Sequence, residues 1–319
     1  LMGSAAWRSA RKAVPSSLGA PLVDVGVLLG HPRLKLKHEI VDRAALAGVS
    51  HMVIVSGSLK ESRQVIKLCR TLEDAGTRVL CAVGCSPNDA ARHSHGRLNM
   101  SLLEAMDQYC ELVGGNSDVV VAVGETGLDY DGRESAPIDQ MNAMAAFLEL
   151  SIQANLPAIL HVKDDAHDDF CKVMDSFGPR QWRGVMHCYT DNNEAHLEKY
   201  LSYGLSIGIC GWVTDERPGR GKAQQKLIRE IPLDRIMIES LAPHMIPRNI
   251  RRYDFVPRIK ICEPSVVSYI ARKIAQCYRD AGITMSVDDI ARHTTRNAMA
   301  MFNLPAAKCD QPSDDDADD

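Results

Sequence analysis

The chain has 319 residues, of which 45% are hydrophobic and 24% charged, and its formal net charge is −4. That is an ordinary balance for a folded chain with a large core, long enough for one large α/β barrel or two ordinary domains. It excludes a global basic field that would gather a polyanion, so any such site is local, and no apolar run approaches the roughly 18 residues of a membrane span.

The first 23 residues contain no Asp or Glu and carry Arg8, Arg11 and Lys12 among Ser and Ala. Residues 1–21 read as an N-terminal segment, either a mitochondrial transit peptide or a disordered tail. From residue 22 the character changes. Eight short apolar runs suit buried parallel strands: 22–27, 51–56, 79–84, 119–125, 157–162, 184–189, 205–212 and 235–240. Helical spacing occupies 35–47 (stopped by Gly48), 59–75, 137–154, 222–230 and 264–281, and a last helix starts near Ser286 with Asp289 completing a weak capping box. This repetition predicts a single closed (β/α)₈ TIM barrel over residues 22–305, followed by an acidic tail over 306–319. Ten cysteines lie scattered, several in apolar runs such as Cys81 and Cys210. They read as reduced thiols of a cytoplasmic-type compartment rather than as a disulfide frame.

Barrels of this kind build their sites at the C-terminal ends of the strands. The fourth run ends in Glu125, the fifth in His161, the sixth in His187, and the eighth in Glu239 and Ser240. One carboxylate and two imidazoles on three successive strand ends suit a divalent metal. After the seventh run, Arg217, Arg220 and Lys222 suit phosphate contacts and Trp212 either stacks on a base or packs under its loop. Arg248, Arg251, Arg252, Arg258 and Lys260 form a late basic run, read equally well as a solvated loop.

The runs GETGLDY, PAILHVKD, MHCYT, GICGWVTDERPGRG, IESLAPHMIPR and CEPSVV, in that order, resemble the TatD family of metal-dependent deoxyribonucleases. The resemblance covers about residues 22–305. It implies a TIM barrel, divalent metal (Mg, Mn or Zn), and hydrolysis of phosphodiester bonds in DNA, at single strands or ends. Carried over residue by residue, it makes Glu125, His161 and His187 metal ligands.

The departures are specific. The family's strand-one His-x-His falls where this chain reads Val25-Gly26-Val27-Leu28. Its Gly-Val-His-Pro-His loop is Gly84-Cys85-Ser86-Pro87-Asn88 here. Its strand-eight Asp, which helps hold a metal and the attacking water, is Leu241, and the Asn before Glu-Pro is Cys262. One metal position therefore keeps its ligands and the second keeps only Glu125. His93, His95 and His244 are candidate substitutes, Asp129 and Asp164 candidate bases, and Glu239 and Glu263 are expected to pair with basic groups. Three readings stay open: a nuclease working with one ion, a catalytically silent binding scaffold, and a hydrolase for another substrate.

Overall fold

The computed structural model describes residues 18–73, 75–91, 101–131, 134–178, 182–251, 254 and 259–306. Eight parallel strands follow one another around the sheet in chain order: β1 (Leu22–Val27), β2 (Val49–Ile54), β3 (Arg78–Val83), β4 (Val120–Leu128), β5 (Ala158–Val162), β6 (Gly184–Met186), β7 (Ser206–Ile209) and β8 (Ile236–Ile238). The seam between first and last is closed by backbone: Leu241 N donates to Gly26 O (2.9 Å) and Leu28 N to Ala242 O (2.9 Å). The eight predicted runs are the eight strands, with ends displaced by a few residues. The displacement matters at β4, which continues to Leu128 and so carries Glu125 inside the strand.

The helices are α1 (Lys37–Leu46), α2 (Leu59–Thr71), α3 (Leu102–Gly114), α4 (Pro137–Ala154), α5 (His167–Ser176), α6 (Glu194–Ser202), α7 (Gly221–Gln224), α8 (Val267–Asp280) and α9 (Val287–Phe302). The predicted 222–230 helix is the short α7 followed by a 3₁₀ turn at Ile228–Glu230, and 264–281 begins as a 3₁₀ turn at Pro264–Val266 before α8. Helices α3, α5 and α6 were not among the expected segments. Helix α3 buries Ala105, Tyr109 and Val113, α5 buries Phe170, Val173 and Met174, and α6 buries Leu197 and Tyr200, so each turns a narrow stripe to the barrel.

Packing follows from strand alternation. One set of side chains, including Val23, Val25, Val53, Leu80, Ile159, Val185 and Met237, fills the barrel interior together with Phe302; the other set packs outward under the helices around Tyr109, Phe147, Phe170 and Tyr200. The nine described cysteines are all free thiols, and Cys81 and Cys210 are fully buried. Among the described residues, no helix is long and apolar enough to cross a membrane.

The last helix ties the barrel's end together. Its Ser286–Asp289 capping box is complete, with Ser286 Oγ accepting Asp289 N at 3.0 Å. Asn297 Nδ2 donates to Leu233 O (2.8 Å) and Ile236 O (2.9 Å), and residues 18–21 lie along the helix, Thr295 Oγ1 reaching Pro21 O at 2.8 Å. The N-terminal basic residues, the acidic tail, His93, His95, Arg252 and Arg258 lie outside the described residues. Asn297→Ala strands two carbonyls, at β8's entrance, and is expected to cost about 1–3 kcal/mol. Urea unfolding should show this as a lower midpoint at unchanged slope.

Candidate metal and strand-binding site

The mouth at the C-terminal ends of the strands is organised by Glu239, which stands just past β8 and is fully buried. Its Oε2 lies 2.5 Å from His187 Nδ1, and its Oε1 accepts the Cys188 backbone N–H. Room for that carboxylate is made by Gly26 on β1. A Cβ at position 26 would lie 2.1 Å from Glu239 Oε2 and 2.6 Å from the His187 ring, so only glycine fits. Gly26 is thus the residue that lets Glu239 reach His187.

His187 follows β6 and is itself buried. Its other nitrogen, Nε2, has no hydrogen-bond partner and faces Glu125 Oε2 at 3.6 Å. Burial pulls the imidazole pKa down, but the carboxylates of Glu239 and then Glu125 outweigh it and raise the value to about 9. Glu125 is placed by Gly124, whose φ of 132° belongs to glycine; a Cβ there would lie 2.4 Å from Ile159 O. His161, near the end of β5, turns its Nε2 toward Asp129 Oδ2 at 3.6 Å. The structure therefore brings Glu125 and His187 together and holds His161 against Asp129 instead.

Among the described residues, no group of three or more His, Cys, Asp or Glu side chains is already arranged to hold a metal ion. The donor set nevertheless fits one. A buried, unpartnered ring nitrogen faces a carboxylate, and its opposite nitrogen is backed by a second carboxylate, as in carboxylate–histidine–metal arrangements.

Sequence reading did not single out Asp24. This β1 carboxylate is fully buried; its Oδ1 accepts Ser240 N (2.8 Å) and Gly26 N (3.3 Å), while Oδ2 has no partner. Burial pushes its pKa up to about 7 against the lowering effect of those bonds. Asp24 thus pins both residues that flank Glu239 in space. Its signal in the sequence is a lone acidic residue inside an apolar strand run. Leu241 adopts a φ of 50°, the left-handed region that asparagine and aspartate enter more readily than leucine. His244 is exposed and stacks edge-on against His31 at 5.4 Å, and Glu263 pairs with Arg43 at 2.7 Å. Asp164 lies at the start of a 3₁₀ turn, its pKa raised by partial burial and by Asp191.

On the loop after β7, Trp212 is half-buried with the Arg220 guanidinium 5.5 Å above its ring. Arg217 and Arg220 both turn to Asp215, at 2.5 and 3.8 Å. Lys222 pairs with Glu216 at 3.3 Å. A cavity of about 450 Å³ opens between the loops after β1, β2, β3 and β4 and the first turn of α2; its charged lining is Lys60, Glu61, Asp89 and Glu134.

An eight-stranded parallel barrel with a carboxylate–histidine centre at its C-terminal mouth is the architecture of the TIM-barrel enzymes. The model of the "TatD related DNase" family matches residues 23–303, and the chain belongs to that family. A "3'-5' ssDNA/RNA exonuclease TatD" of Erwinia amylovora is 33% identical over 284 residues, covering 89% of this chain and all of that one. The protein of the same description from Enterobacter lignolyticus is 33% identical over 80% of this chain and 90% of its own. Among solved structures, a TatD family hydrolase of Entamoeba histolytica superposes with a TM-score of 0.74 at 21% identity, covering 90% of this chain and 99% of its own. The Escherichia coli TatD homologue YjjV superposes with 0.73 at 21%, covering 89% and 98%.

Removal of the Glu239 charge should release its hold on the ring. In Glu239→Gln, the His187 imidazole is expected to titrate below its native value of about 9, read from ring chemical shifts against pH in metal-free protein. An unmoved titration would mean that Glu239 does not set it.

Proposed function

We propose that this chain is a metal-dependent phosphodiesterase acting on DNA, at single strands or ends, with a single ion held by Glu125, His161 and His187. The observation that carries it is the unpartnered, buried His187 Nε2 facing the Glu125 carboxylate at 3.6 Å. Relatives that are about a third identical over most of the chain are described as ssDNA/RNA exonucleases, which supports a nucleic-acid substrate. The ten cysteines support a reducing, cytoplasmic setting.

A divalent cation at this site (Mg, Mn or Zn) supplies Lewis acidity toward a phosphoryl oxygen and eases deprotonation of water. The chain's own residues do the rest. Glu239 fixes the His187 ring so that Nε2 points to Glu125, and Asp24 holds the backbone on either side of Glu239. Asp129, beside His161, is the carboxylate placed to take up a proton at that edge. Arg217, Arg220 and Trp212 are assigned to the strand. Leu241 specifically favours a second reading, a barrel that binds nucleic acid without turning it over, because a leucine neither ligates a metal nor accepts a proton.

Elemental analysis of purified protein, paired with digestion of a single-stranded oligonucleotide in Mg²⁺ or Mn²⁺, separates the two. Stoichiometric metal and metal-dependent digestion that His161→Ala abolishes establish the hydrolase; neither metal nor digestion leaves the binding scaffold. Ligation requires a neutral imidazole. Because His187 holds its proton up to about 9, cation affinity should strengthen as pH rises toward that value and level off above it, as calorimetric titration would show.

Leu241→Asp tests the missing base. The left-handed backbone at 241 accepts aspartate without strain, so the unfolding midpoint should not fall. The digestion rate should rise by about 10²–10⁴-fold if a base is what the native site lacks. An unchanged rate would place the base elsewhere, with Asp129 the first to substitute.

A further inference from the structure

We infer that Asp215 organises a clamp for a backbone phosphate of a nucleic-acid strand, built from Arg217 and Arg220 on the β7 loop and Arg248 on the β8 loop. This rests on the nucleic-acid reading above and adds which groups grip the strand and on which side of the mouth it runs.

Three guanidiniums converge on one carboxylate. Arg217 is bidentate, its Nε at 2.9 Å from Oδ1 and its Nη2 at 2.5 Å from Oδ2; Arg248 Nε stands 3.2 Å and Arg220 Nη1 3.8 Å from the same Oδ2. The carboxylate is 4% exposed, whereas the three arginine side chains are 48%, 46% and 58% exposed. Asp215 is therefore the covered hub, and the guanidiniums present their remaining N–H edges to solvent. Three positive charges against one negative leave a surplus of two. No other described carboxylate lies within ion-pair distance of these arginines, because the neighbouring Glu216 is engaged by Lys222 (3.3 Å) and Lys273 (2.5 Å). Like charges gathered this closely repel, and exposed ion pairs contribute little in return. An anion with several acceptor oxygens relieves that repulsion, and the planar fork of arginine matches a phosphate.

The cluster is held in place from two loops. Arg248 N donates to Thr214 Oγ1 at 2.7 Å, Arg217 N to Asp215 Oδ1 at 3.1 Å, and Arg220 packs over Trp212. It also adjoins the metal-site residues through the chain. Cys210, at the foot of the β7 loop, has its Sγ 3.6 Å from that of Cys188, whose N–H is held by Glu239. The cavity lined from the β1 to β4 loops carries three acidic side chains and one lysine, a net negative lining that does not compete for a polyanion.

The test is the affinity of a 3′-labelled oligothymidylate with unphosphorylated ends, measured by fluorescence anisotropy in chelator across a salt series, for the full chain, Arg248→Gln and Arg220→Gln. Each variant is expected to bind about tenfold more weakly, with the log–log salt slope shallower by about 0.7 and the unfolding midpoint unchanged. Equal affinity and slope, alongside a lower unfolding midpoint, would make the cluster a structural ion-pair network and overturn the clamp. No binding of the oligonucleotide by the full chain at low salt would overturn the diester-strand assignment. Digestion that persists unaltered in both variants removes the clamp and leaves the hydrolase standing. Oligonucleotide binding that depends on the arginines, in a protein that never digests, keeps the clamp and removes the hydrolase.

Discussion

The mouth of this barrel depends on one buried ion pair, Glu239 with His187. A carboxylate taken wholly out of water is costly unless paired and hydrogen-bonded, and deleting one partner of such a pair costs about 3–5 kcal/mol. Glu239 meets that requirement with the His187 ring on one oxygen and the Cys188 N–H on the other. The conditions for the pair come from two strands, β1 and β7. Gly26 on β1 vacates the space, Gly208 on β7 does the same (a Cβ there would lie 2.8 Å from Glu239 Oε1), and Asp24 holds the Ser240 and Gly26 amides. The pair in turn leaves Nε2 as the ring's open valence and aims it at Glu125. What the mouth can do chemically is therefore decided by a residue that would itself touch neither ion nor substrate.

Much of this was legible in the sequence because it is periodic or sits in a motif. Eight apolar runs at barrel spacing gave away the strands, and Glu125, His161, His187 and Glu239 stood at or near their ends. The pairing of Glu239 with a basic group was foreseeable from burial alone, though not that the partner would be a site histidine. Three helices escaped, and α3 and α5 bury as many side chains as α1, so the width of the buried stripe does not separate them from the segments that were read. Asp215 escaped for a reason of its own. In sequence it is one acidic residue in a charged loop, and its role arises only when the β8 loop brings Arg248 from 33 positions away. His161 marks the limit of the motif: its strand position follows from the sequence, but whether its ring faces Glu125 or Asp129 is a side-chain choice that the local pattern does not encode.

The two halves of the mouth also differ in a way that composition conceals. The whole chain is acidic, with a net charge of −4. Global charge would steer a polyanion away, so attraction has to be concentrated. The β7 and β8 loops do this by placing three arginines around Asp215, while the cavity lined from the β1 to β4 loops and the first turn of α2 gathers Glu61, Asp89 and Glu134 against Lys60. An uneven field of this kind orients a strand as well as attracting it, because the same backbone is favoured on one side and disfavoured on the other.

The losses at Gly26 and Leu241 belong together. They lie on the two strands that close the barrel, and Leu241 N donates to Gly26 O across that seam. Both stand in the sequence as departures, from the strand-one histidines that some TatD-type chains also lack and from the strand-eight aspartate. A histidine restored at 26 would collide with Glu239, so it cannot return alone. An aspartate at 241 meets no such obstacle, since its left-handed backbone suits a short polar side chain. Position 26 is thus closed to any side chain by packing, whereas position 241 departs from the strand-eight aspartate only in side-chain identity.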